Sequence, residues 1–434
     1  MTNPSGSEKP RVSALARRIH GWSWQAFPIG MGTGAVYVTL SQIKEHSQAL
    51  TKVETFFYFL NIAFFLLNVT TLIAQTILFP RQSWRLINDP SKSVFVPVIV
   101  LSYGTIIIGT INYAYPHHVG RNLIYVLFWI YVALACLTCF PMLVIWFNKT
   151  HDLKDFTPAY ILPLMVVGVI AYNVLKTLDA TDKRAVGILI VSYFFQGKFL
   201  FVLPSVSKLT LLQGFGFFIT FFYLCIYIIR IMTTGFLEGA QASGAFVACA
   251  PPGFTALALL NLGEHAKDIL HAHNLISPNA GEIWFAMSVF AALMLWGLAV
   301  FLFVLGILPY WFKVEKDLKD ILGCWALAFP NIGWISTTRV LGDVFDIVGF
   351  YDLHLVLSIL MCALWLVLSV LTVLAFWKGL IFRSKEKDVL RDIQYYRQKN
   401  LLKLTLPTLN LPSPYDNHDN EDVQAYRTPH SSLA

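Results

Sequence analysis

The sequence predicts an all-α polytopic membrane protein with ten transmembrane helices arranged as five helical hairpins. Three observations carry this. The 434 residues are 56% hydrophobic and only 13% charged, whereas a soluble domain is about a quarter charged. Apolar runs of roughly 20 residues, enough to cross a bilayer core, recur from Trp22 to Phe382. The runs also alternate in character: odd ones are broken by Pro and rich in Gly, and even ones are packed with Phe, Leu, Ile and Tyr.

Taken in order, residues 1–20 read as a polar, basic cytoplasmic tail with no signal-peptide apolar region. Spans follow near 22–43, 54–79, 93–113, 122–147, 157–175, 185–232, 241–263, 281–312, 321–341 and 348–381, so residues 21–382 form the membrane domain. The tail 383–434 begins with a candidate interfacial helix, "RSKEKDVLRDIQYYRQKN", and continues as a stretch whose polarity predicts disorder. Run 185–232 is too long for one crossing, yet counting it as two would turn the basic clusters Lys313–Lys319 and Arg383–Lys387 outward. The preference of Lys and Arg for the cytoplasmic side favours ten crossings, with the N-terminus inside. The membrane also accounts for the net charge of +7, with no call for nucleic acid.

The odd spans read "FPIGMGTGA", "FVPVIVLSYGT", "ILPLMVVGV", "APPGFTAL" and "FPNIGW". Broken helices survive in a bilayer only where protein buries them or water lines them. The odd helices are therefore expected to form an inner ring around a central pore, with the even helices outside. Phe27, Gly32, Pro163, Pro252 and Pro330 mark the breaks. Thr33, Ser102, Thr105, Thr255, Asn331, Ser336 and Thr337 supply neutral donors along such a pathway, although each could equally bond helix to helix. Half-helix N-termini at the breaks would favour anions. Arg339, in the last odd span, has two readings: it binds a substrate carboxylate bidentately, or it pairs with Asp343 one turn on.

Other features read as structural. The six Cys (Cys136, Cys139, Cys225, Cys249, Cys324, Cys362) all fall inside spans, and the lone CxxC has no His cluster to make a metal site. "GMGTG" (Gly30 to Gly34) lacks the strand and Lys of a phosphate loop. His117, His118, His265, His271 and His273 lie near expected external loops, and Glu264 at a span end is a candidate proton-coupling carboxylate. No HExxH, GxSxG or GxGD arrangement occurs, so neither an enzyme nor a cofactor or metal site is expected.

"WSWQAFPIGMGTGAVYV", "YAYPHHVGRNLIYVLFWIYVA", "PAYILPLMVVGVIA", "APPGFTALALLNLG" and "WALAFPNIGWIS" resemble, in this order, the tellurite-resistance/dicarboxylate transporter family. The resemblance covers about residues 20–380. That family includes fungal malic acid permeases, which the motifs most resemble, fungal sulfite efflux pumps and plant slow anion channels. It implies ten helices in five hairpins, a homotrimer of independent pores, and a plasma-membrane location. It implies small organic-acid anions (malate, succinate, fumarate) as substrates, with protons as partners. Sulfite or another small anion is the alternative; a non-transporting receptor would not need five broken spans. Phe329 falls where the anion channels of the family carry a pore-occluding phenylalanine, which makes it the expected gate. In related permeases a Phe-Gln-Gly segment runs straight into Leu-Gly-Phe. Here Lys198–Gly214 intervenes, as a translated in-frame intron or as a lineage-specific insert. A transcript encoding these residues would exclude the intron.

Overall fold

The computed structural model describes residues 12–93, 95–148, 162–196, 215–237, 242–313 and 317–405. Every described element is helical. The α-helices are α1 (Ala14–Gly21), α2 (Phe27–Leu40), α3 (Gln48–Leu78), α4 (Pro80–Asn88), α5 (Pro90–Ser93), α6 (Val98–Tyr113), α7 (Arg121–Phe147) and α8 (Leu162–Leu175). They continue with α9 (Lys183–Gln196), α10 (Phe215–Thr234), α11 (Ala250–Ala272), α12 (Ala280–Lys313), α13 (Ile321–Cys324), α14 (Ile332–Phe345), α15 (Val348–Trp377) and α16 (Glu386–Thr405). Among the described residues, five helical segments are long and apolar enough to cross a membrane: Gln48–Leu78, Arg121–Ile145, Ala242–Ala272, Ala280–Tyr310 and Val348–Trp377. Val98–Tyr113, Leu162–Leu175 and Phe221–Thr234 are apolar but shorter. The long run expected over 185–232 is described only as α9 and α10; Lys198–Gly214 lies outside the described residues, as does the tail beyond residue 405.

The described residues form two compact units, one of those within 24–69 and 91–381, the other of residues 12–23, 70–90 and 382–405. In the first, α2 packs on α6, α6 on α8, α8 on α11, α11 on α14, and α14 back on α2. These five helices close a ring. They are the odd-span helices, and they are buried: all of α8 and all of α2 but Ile29 are inside. The even-span helices contrast with them. Of the apolar stretch of α12 only 22% is buried, against 89% for Ala242–Ala272, and Phe290, Met294 and Phe301 on α12 are exposed. Such exposed apolar surface is suited to lipid.

The prolines explain the ring helices' short length. Pro lacks an N–H and clashes with the preceding turn, so it is tolerated in the first turn of a helix and disruptive later. Pro28 and Pro163 are second residues of α2 and α8, Pro97 precedes α6, and Pro251 and Pro252 lie in the first turn of α11. Pro330 sits in a 3-10 turn, Phe329–Asn331, that leads into α14. Tighter 3-10 segments, Trp24–Ala26 and Ala242–Cys249, also lead into α2 and α11. The breaks read from the sequence are thus helix starts rather than kinks, with 3-10 lead-ins at α2, α11 and α14.

Indole-to-threonine hydrogen bonds tie α15 and α12 to the ring. Trp365 on α15 donates to Thr33 (3.0 Å), Trp296 on α12 to Thr338 (2.9 Å), and Trp325, ahead of α14, to Thr372 on α15 (3.0 Å). Each satisfies a polar group that could not be left unpaired in an apolar setting.

The second unit is held differently. Gln75 Nε2, at the end of α3, donates to the carbonyls of Ile19 (2.9 Å), His20 (2.9 Å) and Trp22 (2.8 Å) as α1 ends. Arg85 of α4 grips Asp392 of α16 with two nitrogens, at 2.9 and 3.3 Å. His20 Nε2 lies 3.1 Å from Asp392 and its Nδ1 2.7 Å from the Ser384 hydroxyl. His20 and Asp392 are both fully buried. Burial pushes the Asp392 carboxyl up, but the His20 hydrogen bond and the Arg85 guanidinium outweigh it and hold it below the usual carboxylate value. The described parts of both expected tails, α1 and α16, therefore pack into a unit rather than trailing from one.

Candidate functional site

α11 and α14 begin side by side, and glycine makes this possible. A Cβ on Gly253 would stand 2.7 Å from the Trp334 amide nitrogen, and one on Gly333 would strike the Phe254 backbone. The two backbones touch where any side chain would part them. Just there, Phe329 and Phe254 meet, ring centroids 5.0 Å apart and tilted by 38°. Both rings are buried. Phe329 was expected from its motif. Phe254 was not; its signal was its place directly after Pro-Pro-Gly, in the matching break of another ring helix.

The expected donors divide into two groups. Thr33 donates to the Ile29 carbonyl (2.8 Å), Thr105 to Ser102 (2.7 Å) and Thr337 to Gly333 (2.7 Å). Asn331 donates to the Leu327 carbonyl (2.6 Å) and accepts from Trp334 (2.8 Å). These groups are committed to the helices themselves, the usual fate of Thr in apolar helices. Ser102 on α6, Thr255 on α11 and Ser336 on α14 differ: their hydroxyls are buried without a hydrogen-bond partner. Such groups are costly unless something occupies them.

Of the other candidates, Phe27 packs edge-on against Phe65 (5.9 Å), Gly32 faces the Trp325 ring, the Pro163 carbonyl accepts from Tyr131 (2.9 Å), and Pro252 is buried in the first turn of α11. Arg339 pairs with Asp343, the second of its two readings, and its Nε donates to the Gln42 carbonyl (2.9 Å). Glu264 is paired with Lys267 (2.8 Å) and half exposed. Asn61, on α3, went unnoticed because it lies in an even span. Its Nδ2 donates to Thr105 (2.9 Å) and Tyr37 (3.1 Å), tying α3 to α6 and α2.

The C-terminal ends of α2, α6 and α8 surround a cavity of about 350 Å³. Gln42, Asn112, Tyr113 and Asn173 line it, with His46, Glu54 and Lys176. Glu54 is buried; its Oε2 accepts from Tyr113 (3.2 Å) and meets His46 Nε2 at 3.2 Å, while Oε1 has no partner. Lys176, just past α8, donates to Asn173 (3.2 Å) and lies over the Tyr172 ring. Lys176 is exposed to solvent.

No acidic or basic residue occurs in α2, α6 or α8, nor in α11 before Glu264 or α14 before Arg339. Those stretches offer neutral groups; charge on the ring helices begins at Glu264 in α11 and Arg339 in α14. The family model for the voltage-dependent anion channel matches residues 21–206 and 209–373. The malic acid transport protein of Schizosaccharomyces pombe is 27% identical over 387 residues, 86% of this chain and 83% of that one. The sulfite efflux pump SSU1 of Arthroderma otae is 24% identical over 390 residues, 85% of this chain and 97% of that one. An uncharacterised transporter of Methanocaldococcus jannaschii is 21% identical over 374 residues, 84% and 96%.

Proposed function

The chain belongs to the voltage-dependent anion channel family, and from that premise we propose that it is a plasma-membrane transporter of C4-dicarboxylates such as malate, linked to protons. The ring is its pathway and Phe329 its gate. One observation carries the anion reading: a closed ring of helices that holds no acid in α2, α6, α8, α11 before Glu264 or α14 before Arg339, in which three buried hydroxyls, those of Ser102, Thr255 and Ser336, have no partner among the described residues. An anion needs donors and tolerates no carboxylates on its way. Neutral donors and helix N-termini bind it weakly enough to release it. The likeness to a malic acid transport protein over most of both chains supports the dicarboxylate.

In this reading the tilted contact of Phe329 with Phe254 is the closed state of the axis. A rotamer change of one ring would open it without moving a helix. Trimeric assembly, as the family resemblance implies, would give three such pathways.

The test is flux. Purified protein in proteoliposomes is given labelled malate, sulfite or chloride at two pH gradients. Malate flux that rises with an inward proton gradient is expected. Sulfite flux without malate flux would assign the chain to the efflux-pump reading instead.

A further inference from the structure

We propose that the cavity at the C-terminal ends of α2, α6 and α8 is a loading site for carboxylic acids, in which Lys176 holds one carboxylate and the Glu54–His46 pair hands a proton to the other. This rests on the dicarboxylate reading and gives its proton linkage a place.

The cavity of about 350 Å³ matches small-ligand sites. It carries both parts the task needs. Lys176 provides the cation, with the Asn173 amide beside it. Glu54, a lining residue, provides a carboxyl whose Oε1 is buried and has no partner among the described residues. An unpaired carboxylate oxygen in such a setting favours a bound proton. His46 touches Glu54 at 3.2 Å on one side and reaches solvent on the other, as a relay requires. The other titratable groups near the site are Tyr113 from α6, Tyr172 from α8, Arg339 from α14, which donates to the Gln42 carbonyl, and, beside Lys176, His265 from α11 with Glu264 and Asp268 around it. Glu264 is already paired with Lys267.

The step balances. The O–H bond of protonated Glu54 breaks, and an O–H bond forms on one carboxylate of the substrate. Glu54, now anionic, takes a proton from the His46 imidazolium, which takes one from external water. The substrate enters the neutral ring with one charge fewer. That matters because each charge carried into a low-dielectric interior is expensive.

The test is labelled malate uptake into proteoliposomes as external pH is varied from about 5 to about 8. Wild type should slow as pH rises. Glu54→Gln should flatten that profile. Lys176→Gln should raise KM about tenfold, the cost of one charge-assisted hydrogen bond, and Lys176→Arg should restore much of it. An unaltered pH profile in Glu54→Gln, or an unaltered KM in Lys176→Gln, overturns the loading site. If Glu54→Gln does not fold, His46→Gln takes its place, and a wild-type profile there overturns the proton path. Wild type that moves sulfite but no malate overturns the dicarboxylate reading and the loading site with it. Malate flux indifferent to all three residues overturns the loading site alone.

Discussion

The two units bury polar groups in opposite ways. The helix ring keeps acids and bases out of its interior and satisfies itself with hydroxyls, indoles and backbone carbonyls. The unit built from α1, residues 70–90 and α16 buries Asp392 against His20, both fully buried and 3.1 Å apart, with the half-buried Arg85 on its other oxygen. A buried charge is tolerable only when paired and hydrogen-bonded, and there it is. The contrast teaches what each region is for. A pathway for an anion must not hold a fixed counter-charge that would trap or repel it. A clasp joining segments 372 residues apart in sequence gains specificity from a charge that has one place to go.

The sharpest way to break this contrast is to remove the clasp's charge. Asp392→Ala should cost about 3–5 kcal/mol by orphaning Arg85 and His20, read as a fall in thermal unfolding temperature in detergent. The effect should depend on pH with a fixed sign. Because the folded carboxyl is held below its ordinary value, its stabilisation is complete above the unfolded value near 4 and is lost as pH falls through the folded one. Wild type and variant should therefore converge in acid; a gap that persists there would mean that packing, not charge, holds the unit.

Next is the ring's reliance on close backbones. Gly253→Ala should cost about 1–3 kcal/mol from overpacking. Gly297→Ala on α12, where a Cβ would meet nothing within 4 Å, should be neutral or slightly stabilising. Equal losses at the two sites would erase the distinction between inner and outer helices. Phe329→Ala tests the ring as a pathway: malate flux should rise about tenfold, some 1.4 kcal/mol off the barrier, at unchanged surface expression. Unchanged flux would leave Phe329 a packing residue. The smallest effect should come from Asn61→Leu. Its partners Tyr37 and Thr105 keep other hydrogen bonds, so about 0.6–1 kcal/mol should be lost, seen by thermal unfolding.

Much of the ring was legible in the sequence. Pro-Gly runs alternating with Phe-Leu runs named the five helices that pack together, because proline and glycine act locally and their consequences are local. The site was legible in part. Thr33, Thr105, Asn331 and Thr337 looked like pathway donors, but each bonds inside or between helices, and sequence cannot say which acceptor a hydroxyl will find. Phe254 and Glu54 were missed because their partners, Phe329 and His46, are set by packing rather than spacing alone. The clasp was least legible of all. His20, Arg85 and Asp392 sit in three segments with no shared motif, and only the folded chain brings them together.

The ring helices α2, α8 and α14 have 14 residues each, about 21 Å at 1.5 Å per residue, against a hydrocarbon core of about 30 Å. Where a membrane's only insulating stretch is short, its voltage falls across that stretch. An anion at the Phe254–Phe329 contact would then feel much of the field, worth about 2.3 kcal/mol per charge per 100 mV. Current through such a ring would bend with voltage although α2, α6 and α8 carry no charged residue.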